Sequence, residues 1–136
     1  MMYNNKEINK GYSMNINLVH FIVPCIDAVI AKNFYKRIFN FKSIKAENKN
    51  FIVTVNEKLK FELEEIQEYT NNHYVFEVDE ISFDELIANI RKEKLLFGDN
   101  INELNNKKVR QSSSKKEIFF IDPNSHLFQI YTKISY

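Results

Sequence analysis

The fold is decided by residues 117–132, EIFFIDPNSHLFQIYT. Residues 118–121 are β-branched and aromatic, as in a strand, and Asp122 and Pro123 are turn residues because proline presets φ at the second turn position. In the returning strand, residues 126, 128 and 130 point to one face and residues 127, 129 and 131 to the other. Gln129 is therefore either a hydrogen-bonded polar group or a ligand, whereas His126, of opposite parity, is expected to hydrogen-bond the hairpin and not to bind metal.

The first half of the chain predicts a strand, a helix and three more strands. Residues 16–23 alternate as a strand, which Pro24 is expected to end, and Asp27 is expected to cap the helix that follows. Three short strands are predicted near residues 41–46, 51–55 and 59–64. The apolar stripe of the helix is expected to contain Ile26, Val29, Ile30, Phe34, Tyr35 and Ile38.

The second half predicts the same order of elements. Alternation over residues 74–78 predicts a strand, and Ser82 with Glu85 has the spacing of a capping box, joined by a staple between Ile81 and Leu86. A weak strand near residues 108–112 and the hairpin complete this half. The buried stripe of its helix is expected to contain Phe83, Leu86, Ile87 and Ile90.

The repeated pattern predicts an α+β protein with two βαβββ modules, at about residues 16–65 and 72–133. The modules belong to a single domain, 15–136, after a flexible arm at residues 1–14. Each module has few residues to bury on its own. We therefore expect the two modules to pack edge to edge, or to swap between chains, and to close a cleft.

Composition excludes several classes of function. The formal net charge is +1, from 19 basic and 18 acidic residues, which does not favour a nucleic-acid partner. No stretch approaches the roughly 20 apolar residues of a membrane span. The single cysteine, Cys25, and the absence of a signal-peptide pattern favour the cytoplasm. No Gly-rich phosphate loop or nucleophile elbow is present, and Cys25 is interpreted as a small buried hydrophobe.

The first strand of each module contains one histidine, His20 in the first and His73 in the second. Imidazole is a common ligand of Zn, Ni, Fe and Mn, and two histidines on strands that face one cleft would have a fixed geometry. The last strands of the modules add Glu62 and Gln129, so four polar groups are predicted to converge on a divalent metal ion. The alternative is that the histidines are hydrogen-bonded structural residues and that Glu62 lies on a solvated strand face.

Four segments resemble the vicinal oxygen chelate superfamily, which includes glyoxalase I, bleomycin-resistance proteins, extradiol dioxygenases and the fosfomycin-resistance enzymes. Residues 18–20 and 72–76 look like its two histidine strands. Residues 33–41 are similar to its helix-end signature, and residues 121–130 resemble its closing Asp-Pro-x-Gly-His hairpin. The resemblance spans about residues 16–132 and looks nearest to the fosfomycin-resistance branch.

The resemblance implies a cup-shaped mixed sheet, commonly completed in a homodimer, with a metal that leaves positions open for a substrate's adjacent oxygens. The usual last ligand is glutamate, which here is Gln129, an oxygen donor without charge. Glu62 then either joins the metal ligands or, like Glu77, serves as general base. At the position of the fosfomycin branch's catalytic threonine stands Ile22, so the resemblance does not carry that activity over.

Three hypotheses follow for function. The first is a glyoxalase-like lyase, isomerase or transferase with His20, His73, Gln129 and Glu62 at the metal (Ni, Mn, Fe or Zn) and a small-molecule substrate. The second is a metal-free binding protein like the bleomycin-resistance proteins, which is supported by 12 Phe and 7 Tyr residues. The third is a paralogue that kept the fold without activity, because a fold does not fix a function.

Overall fold

A computed structural model describes residues 13–134, and in this range it contains two helices and eight strands. The elements in chain order are β1 (His20–Cys25), α1 (Ala28–Phe39), β2 (Ser43–Glu47), β3 (Asn50–Thr54), β4 (Lys60–Glu65), β5 (His73–Glu77), α2 (Glu80–Lys92), β6 (Arg110–Gln111), β7 (Lys115–Ile121) and β8 (Leu127–Lys133). Neither helix is long and apolar enough to span a membrane. Residues 1–12, most of the predicted arm, and residues 135–136 lie outside the described range.

The strands form two four-stranded mixed sheets of identical topology. The first has the order β1-β4-β3-β2 and the second β5-β8-β7-β6. In each sheet the first strand of the module runs parallel to the last, and the other pairs are antiparallel. The predicted α+β class with two βαβββ modules is confirmed. Apart from the limits of β1 and the start of β7, the strand limits lie within two residues of those expected.

Strand β1 differs from its prediction at both ends. It begins at His20 and not at residue 16, because its partner β4 begins at Lys60, directly opposite His20. Pro24 was expected to end the strand but lies inside it. The carbonyls of Val19 and Cys25 accept bonds from the N–H groups of Lys60 and Ile66, so the odd-numbered residues of β1 face β4. The backbone of Pro24 faces the opposite way, toward the open edge of the sheet, where a residue without an N–H is tolerated.

Helix α1 begins at the predicted cap. The Asp27 Oδ1 accepts bonds from the backbone N–H groups of Val29 and Ile30, at 2.9 and 3.0 Å. The predicted apolar stripe is wrong in its first turn, where Ile26, Val29 and Ile30 are about half exposed. The buried residues are Ala28, Ala31, Phe34, Tyr35 and Ile38. Small alanines make the close contact with the sheet, and a pattern read from bulky side chains overlooks them.

Helix α2 buries the expected stripe but begins differently. Its N-cap is Asp79, which accepts a bond from the Ser82 N–H at 2.7 Å. The predicted capping box and staple are therefore wrong: Ile81 is 80% exposed, and Glu85 accepts a bond from the Asn40 side chain instead. Phe83, Leu86, Ile87 and Ile90 are buried as predicted.

The two sheets share one core, and side chains of α1 contact both sheets. Tyr35 packs on Phe61 of its own sheet, with ring centroids 5.5 Å apart, and on Phe128 of the other sheet at 5.7 Å. Phe34 reaches Phe120 at 6.4 Å. The faces of both sheets that carry apolar residues therefore point toward this core, and their opposite faces point away from it.

The turn between β7 and β8 fastens the second module to the first. Burial and the loss of hydration that it brings raise the pKa of Asp122, which accepts bonds from the Tyr35 hydroxyl and from the N–H groups of Asn124 and His126. The Asn124 Oδ1 accepts a bond from the Ile26 N–H at 3.0 Å. This turn therefore fixes how the modules pack within one chain.

His126 completes this connection. Its ring is fully buried, its Nδ1 accepts from the Asn72 N–H at 2.9 Å, and its Nε2–H donates to the Pro24 carbonyl at 2.7 Å. Both ring nitrogens are engaged, as expected for a structural histidine. The His126 backbone bonds Asp122 in the hairpin turn, as expected, whereas the partners of its ring lie before β5 and within β1.

Candidate metal centre

The candidate ligands lie on the faces of the sheets that are turned away from the core. In β1, Phe21 and Val23 point inward, and His20 and Ile22 point outward. In β5, Tyr74 and Phe76 point inward, and His73 lies on the exposed face. The two-residue period of a strand produces this division, because each inward aromatic forces its neighbours to the other side.

On the first sheet, His20 lies beside Glu62. The register places Glu62 of β4 opposite Ile22 of β1, on the same outward face as His20. His20 and Glu62 are therefore outward side chains of neighbouring strands. The His20 Nε2 is 3.5 Å from Glu62 Oε1, and the other carboxylate oxygen accepts a 2.7 Å bond from the Asn50 side chain. Asn50 thus holds one oxygen of Glu62 and leaves the other facing the imidazole.

On the second sheet, His73 lies beside Gln129. The His73 Nε2–H donates to Gln129 Oε1 at 2.9 Å. Gln129 Oε1 carries a lone pair that a cation would use, and His73 Nε2 offers one when the ring proton is on Nδ1 instead. This contact brings together two of the predicted ligands.

Glu117 also belongs to this site, although no sequence pattern indicates a role for it. It lies on β7 with its side chain only 4% exposed, and its Oε2 accepts a 2.7 Å bond from the Gln129 amide nitrogen. The Lys115 ammonium is 3.6 Å from the same oxygen. The available signal was parity, because Glu117 is the one acidic residue of β7 and lies on the same face as Gln129.

Within one chain these residues form two separate pairs. Among residues 13–134, no group of three or more His, Cys, Asp or Glu side chains gathers in a way that could hold a metal. His20 and Glu62 belong to the first sheet, and His73 and Gln129 belong to the second. The predicted convergence of all four therefore requires a second chain or another arrangement of the modules.

Glu77 shares the outward face of β5 with His73 but lies four residues further along, or about 13 Å at the rise of a strand. Its carboxylate accepts a bond from the Tyr131 hydroxyl at 3.3 Å and lies 3.7 Å from the Lys133 ammonium. Both partners hold it away from the His73 pair. As general base, Glu77 is thus less well placed than Glu62.

Cys25 is buried, as predicted, and burial raises its pKa to about 11, with nearby carboxylates such as Glu65 adding to the effect. The thiolate is the reactive form of cysteine. Cys25 is therefore not suited to act as a nucleophile at neutral pH.

An aromatic cavity of about 680 Å³ lies apart from both histidines. It opens between the end of α1, the β2–β3 hairpin and the start of α2, and Phe39, Phe41 and Phe76 line it. The rings of Phe39 and Phe41 stack with centroids 5.1 Å apart. The size is within the usual range of small-molecule sites, and the lining is mostly apolar.

The donor set fits a divalent ion of intermediate hardness. Imidazole nitrogen suits Zn, Fe and Ni, and carboxylate or amide oxygen suits Mn as well. The outward faces also leave room for a substrate, because His20 and His73 are exposed. The residues present therefore fit the metal that the resemblance implies, provided that the two pairs come together.

Comparisons with known proteins identify the fold. No protein-family model matches the sequence, and no curated protein matches it either. Among solved structures, the chain is similar to the oxidase ChaP-H2, with 22% identity, a TM-score of 0.79, and coverage of 89% of this chain and 96% of that one. It is also similar to the fosfomycin resistance protein FosX from Listeria monocytogenes, solved with Mn(II) and sulfate ion, with 22% identity, a TM-score of 0.64, and coverage of 89% and 93%.

A third similar structure is an integron cassette protein from V. cholerae, with 15% identity, a TM-score of 0.65, and coverage of 89% of this chain and 98% of that one. The chain has the paired βαβββ fold of the vicinal oxygen chelate superfamily. The resemblance found in the sequence is confirmed at the level of the fold. Identities in this range do not decide the reaction.

Proposed function

We propose that this protein is a divalent-metal-dependent enzyme of the glyoxalase type, located in the cytoplasm. It acts as a lyase, isomerase or transferase on a small molecule with adjacent oxygens. The protein is a homodimer, in which His73 and Gln129 of one chain meet His20 and Glu62 of the other around one ion.

The contact between His73 and Gln129 carries this proposal. The 2.9 Å separation of His73 Nε2 and Gln129 Oε1 brings two ligand atoms onto one spot of an exposed sheet face. Two ligands are too few for a stable site, and the second pair, His20 and Glu62, lies on the outward face of the other sheet. We expect a second copy of the chain to supply that pair, because closed twofold dimers are the commonest oligomers. The FosX structure with Mn(II) is a further support for the choice of metal.

A divalent ion bound by these residues supplies a Lewis acid that polarises the substrate's oxygens. The side chains of this protein do the rest. The two imidazoles fix the position of the ion, and the exposed sheet face leaves room for the substrate. If Glu62 does not bind the ion, its Oε1 is free to accept a proton, because Asn50 already holds the other oxygen.

Metal content tests this proposal. Protein loaded with Mn(II), Ni(II), Fe(II) or Zn(II) and then desalted should retain about one ion per chain by mass spectrometry, as expected for one shared site per pair of half-sites. His73→Ala should reduce the retained ion to background, because it removes one of two neutral nitrogen ligands. His73 is exposed, so the variant should keep the wild-type melting temperature.

Glu62 and Glu64 provide a matched pair of controls, since both lie on the outward face of β4 and only Glu62 contacts His20. Glu62→Gln should weaken metal binding, and Glu64→Gln should not. Wild-type protein that retains no ion under any loading condition would refute the proposal, as would full metal content in His73→Ala.

The aromatic cavity favours a second candidate function, which is the binding of a planar ligand without metal, as in a bleomycin-resistance-like protein. Its support is the stacked pair Phe39 and Phe41 beside Phe76, at a distance from the histidines. A planar ligand that raises the melting temperature equally with and without chelator would favour this function. Loss of that shift in Phe41→Ala, with metal content unchanged, would locate the ligand in the cavity.

A further inference from the structure

The candidate ligands do not balance the charge of a divalent ion. His20, His73 and Gln129 are neutral donors, so Glu62 is the one negative charge among the four proposed ligands. It balances only half the charge of a divalent ion, and His73 and Gln129 bring no charge to their side of the site.

Glu117 lies one hydrogen bond behind Gln129. Its Oε2 accepts the Gln129 amide N–H at 2.7 Å, while Gln129 Oε1 faces His73. An amide can present either its oxygen or its nitrogen, and only the oxygen binds a cation. Because a carboxylate accepts and cannot donate, Glu117 selects the rotamer that presents the oxygen to His73.

Burial strengthens the argument. The Glu117 side chain is only 4% exposed, and a buried carboxylate is costly unless it is paired. Its cationic neighbour is Lys115, with the ammonium at 3.6 Å. That lysine also lies over the Tyr131 ring at 5.0 Å and is partly exposed, so it offsets the charge of Glu117 only in part.

We propose that Glu117 is a positioning residue for the metal, which fixes the amide of Gln129 with its oxygen toward the ion and supplies the negative charge that Gln129 lacks. This inference rests on the metal site proposed above. Glu117 lies on β7, beside the strand β8 that carries Gln129, so its charge acts on the ion through the Gln129 amide. Lys115 in turn weakens metal binding, because its positive charge offsets that of Glu117.

Two variants of opposite sign test this inference. Glu117→Gln keeps the volume and an acceptor for Gln129 but removes the charge, and it should weaken Mn(II) binding about tenfold, the lower range for outer partners of metal ligands. Lys115→Gln should tighten Mn(II) binding, because it frees the charge of Glu117. Glu47→Gln, on an exposed strand of the other sheet, controls for net charge and should have no effect.

The readout is the free Mn(II) signal in an electron paramagnetic resonance titration of each purified protein, accompanied by a melting curve of the metal-free protein. If Glu117→Gln does not fold, Lys115→Gln still tests whether the charge of Glu117 strengthens Mn(II) binding. Wild-type affinity in both Glu117→Gln and Lys115→Gln would overturn the inference and leave the metal site standing. No Mn(II) binding by the wild type would overturn the proposed function together with this inference.

Discussion

At the scale of single residues, the contact between Tyr35 and Asp122 joins the modules through a buried charge. Burial raises the pKa of Asp122 above its usual value, and the bond from the Tyr35 hydroxyl opposes this shift. A carboxyl whose pKa is raised by folding costs stability as the pH rises through the interval between its unfolded and folded values, and the cost is complete above that interval. The hydroxyl of Tyr35 reduces the cost.

Tyr35→Phe should therefore lower the free energy of unfolding by about 2 kcal/mol at pH 7, the value of a hydrogen bond to a charged group. The loss should be smaller at pH 4, where a larger fraction of Asp122 is protonated and needs the hydroxyl less. Urea unfolding at the two pH values measures the difference. Tyr69→Phe, which removes a bond to the neutral Asn124 carbonyl, is the control and should show little dependence on pH. Equal losses at both pH values would contradict the assignment.

Individual residues also show how much of the site can be predicted from the sequence. His20, His73, Gln129 and Glu62 were predicted as ligands from strand parity and from the resemblance, and the structure pairs them two by two. Glu117 was missed because alternation predicts the face on which a side chain lies but not its partner, which depends on the register of the β7–β8 hairpin. The ligand role of the four residues stays a prediction.

At the scale of elements, the N-cap of α1 is predicted from the sequence and the N-cap of α2 is not. Asp27 was found because it is followed directly by the helix, and it receives two N–H groups. At α2, Ser82 and Glu85 have the spacing of a capping box, but Asp79 starts the helix three residues earlier. Asp79 and Ser82 both favour a cap, and the Asp79 carboxylate accepts the Ser82 N–H, which places Ser82 inside the helix.

Replacement of Asp27 tests how much the N-cap of α1 contributes to the free energy of unfolding. Asp27→Ala should lower the free energy of unfolding by about 1 kcal/mol, the usual effect of removing an N-cap. Asp27→Asn should retain most of the stability, because asparagine accepts the same bonds. Urea unfolding compares the three proteins, and equal losses in both variants would show that charge and not capping is the cause.

At the scale of the whole molecule, the outward direction of both histidine faces makes a shared site testable by mixing chains. We expect a dimer of one chain with His20→Ala and another with His73→Ala to contain one intact site, formed by the remaining His20 and His73, and one site that lacks both. Such a mixed dimer, isolated with two different tags, should hold half of the wild-type metal. Each parent variant should hold none.

The opposite result has a clear meaning. If all four ligands come from one chain, every chain in the mixed dimer lacks a histidine, and metal should be absent. Sedimentation or light scattering on the same samples establishes that the tagged species is a dimer, so that an absence of metal is not confused with an absence of association.

The sequence by itself determined the two βαβββ modules, the hairpin at residues 117–132, the cap at Asp27 and the parity of His20, His73 and Gln129. These features are local, because alternation, turn residues and helix caps act over a few positions. Only the tertiary structure decided that Pro24 lies within an open-edge strand, that alanines carry the buried face of α1, and that Glu117 holds Gln129. The first two depend on which strand or helix lies alongside, a pairing between residues far apart in the chain that local patterns do not contain. The third depends on which neighbouring side chain the Gln129 amide meets across the hairpin, which alternation alone does not specify.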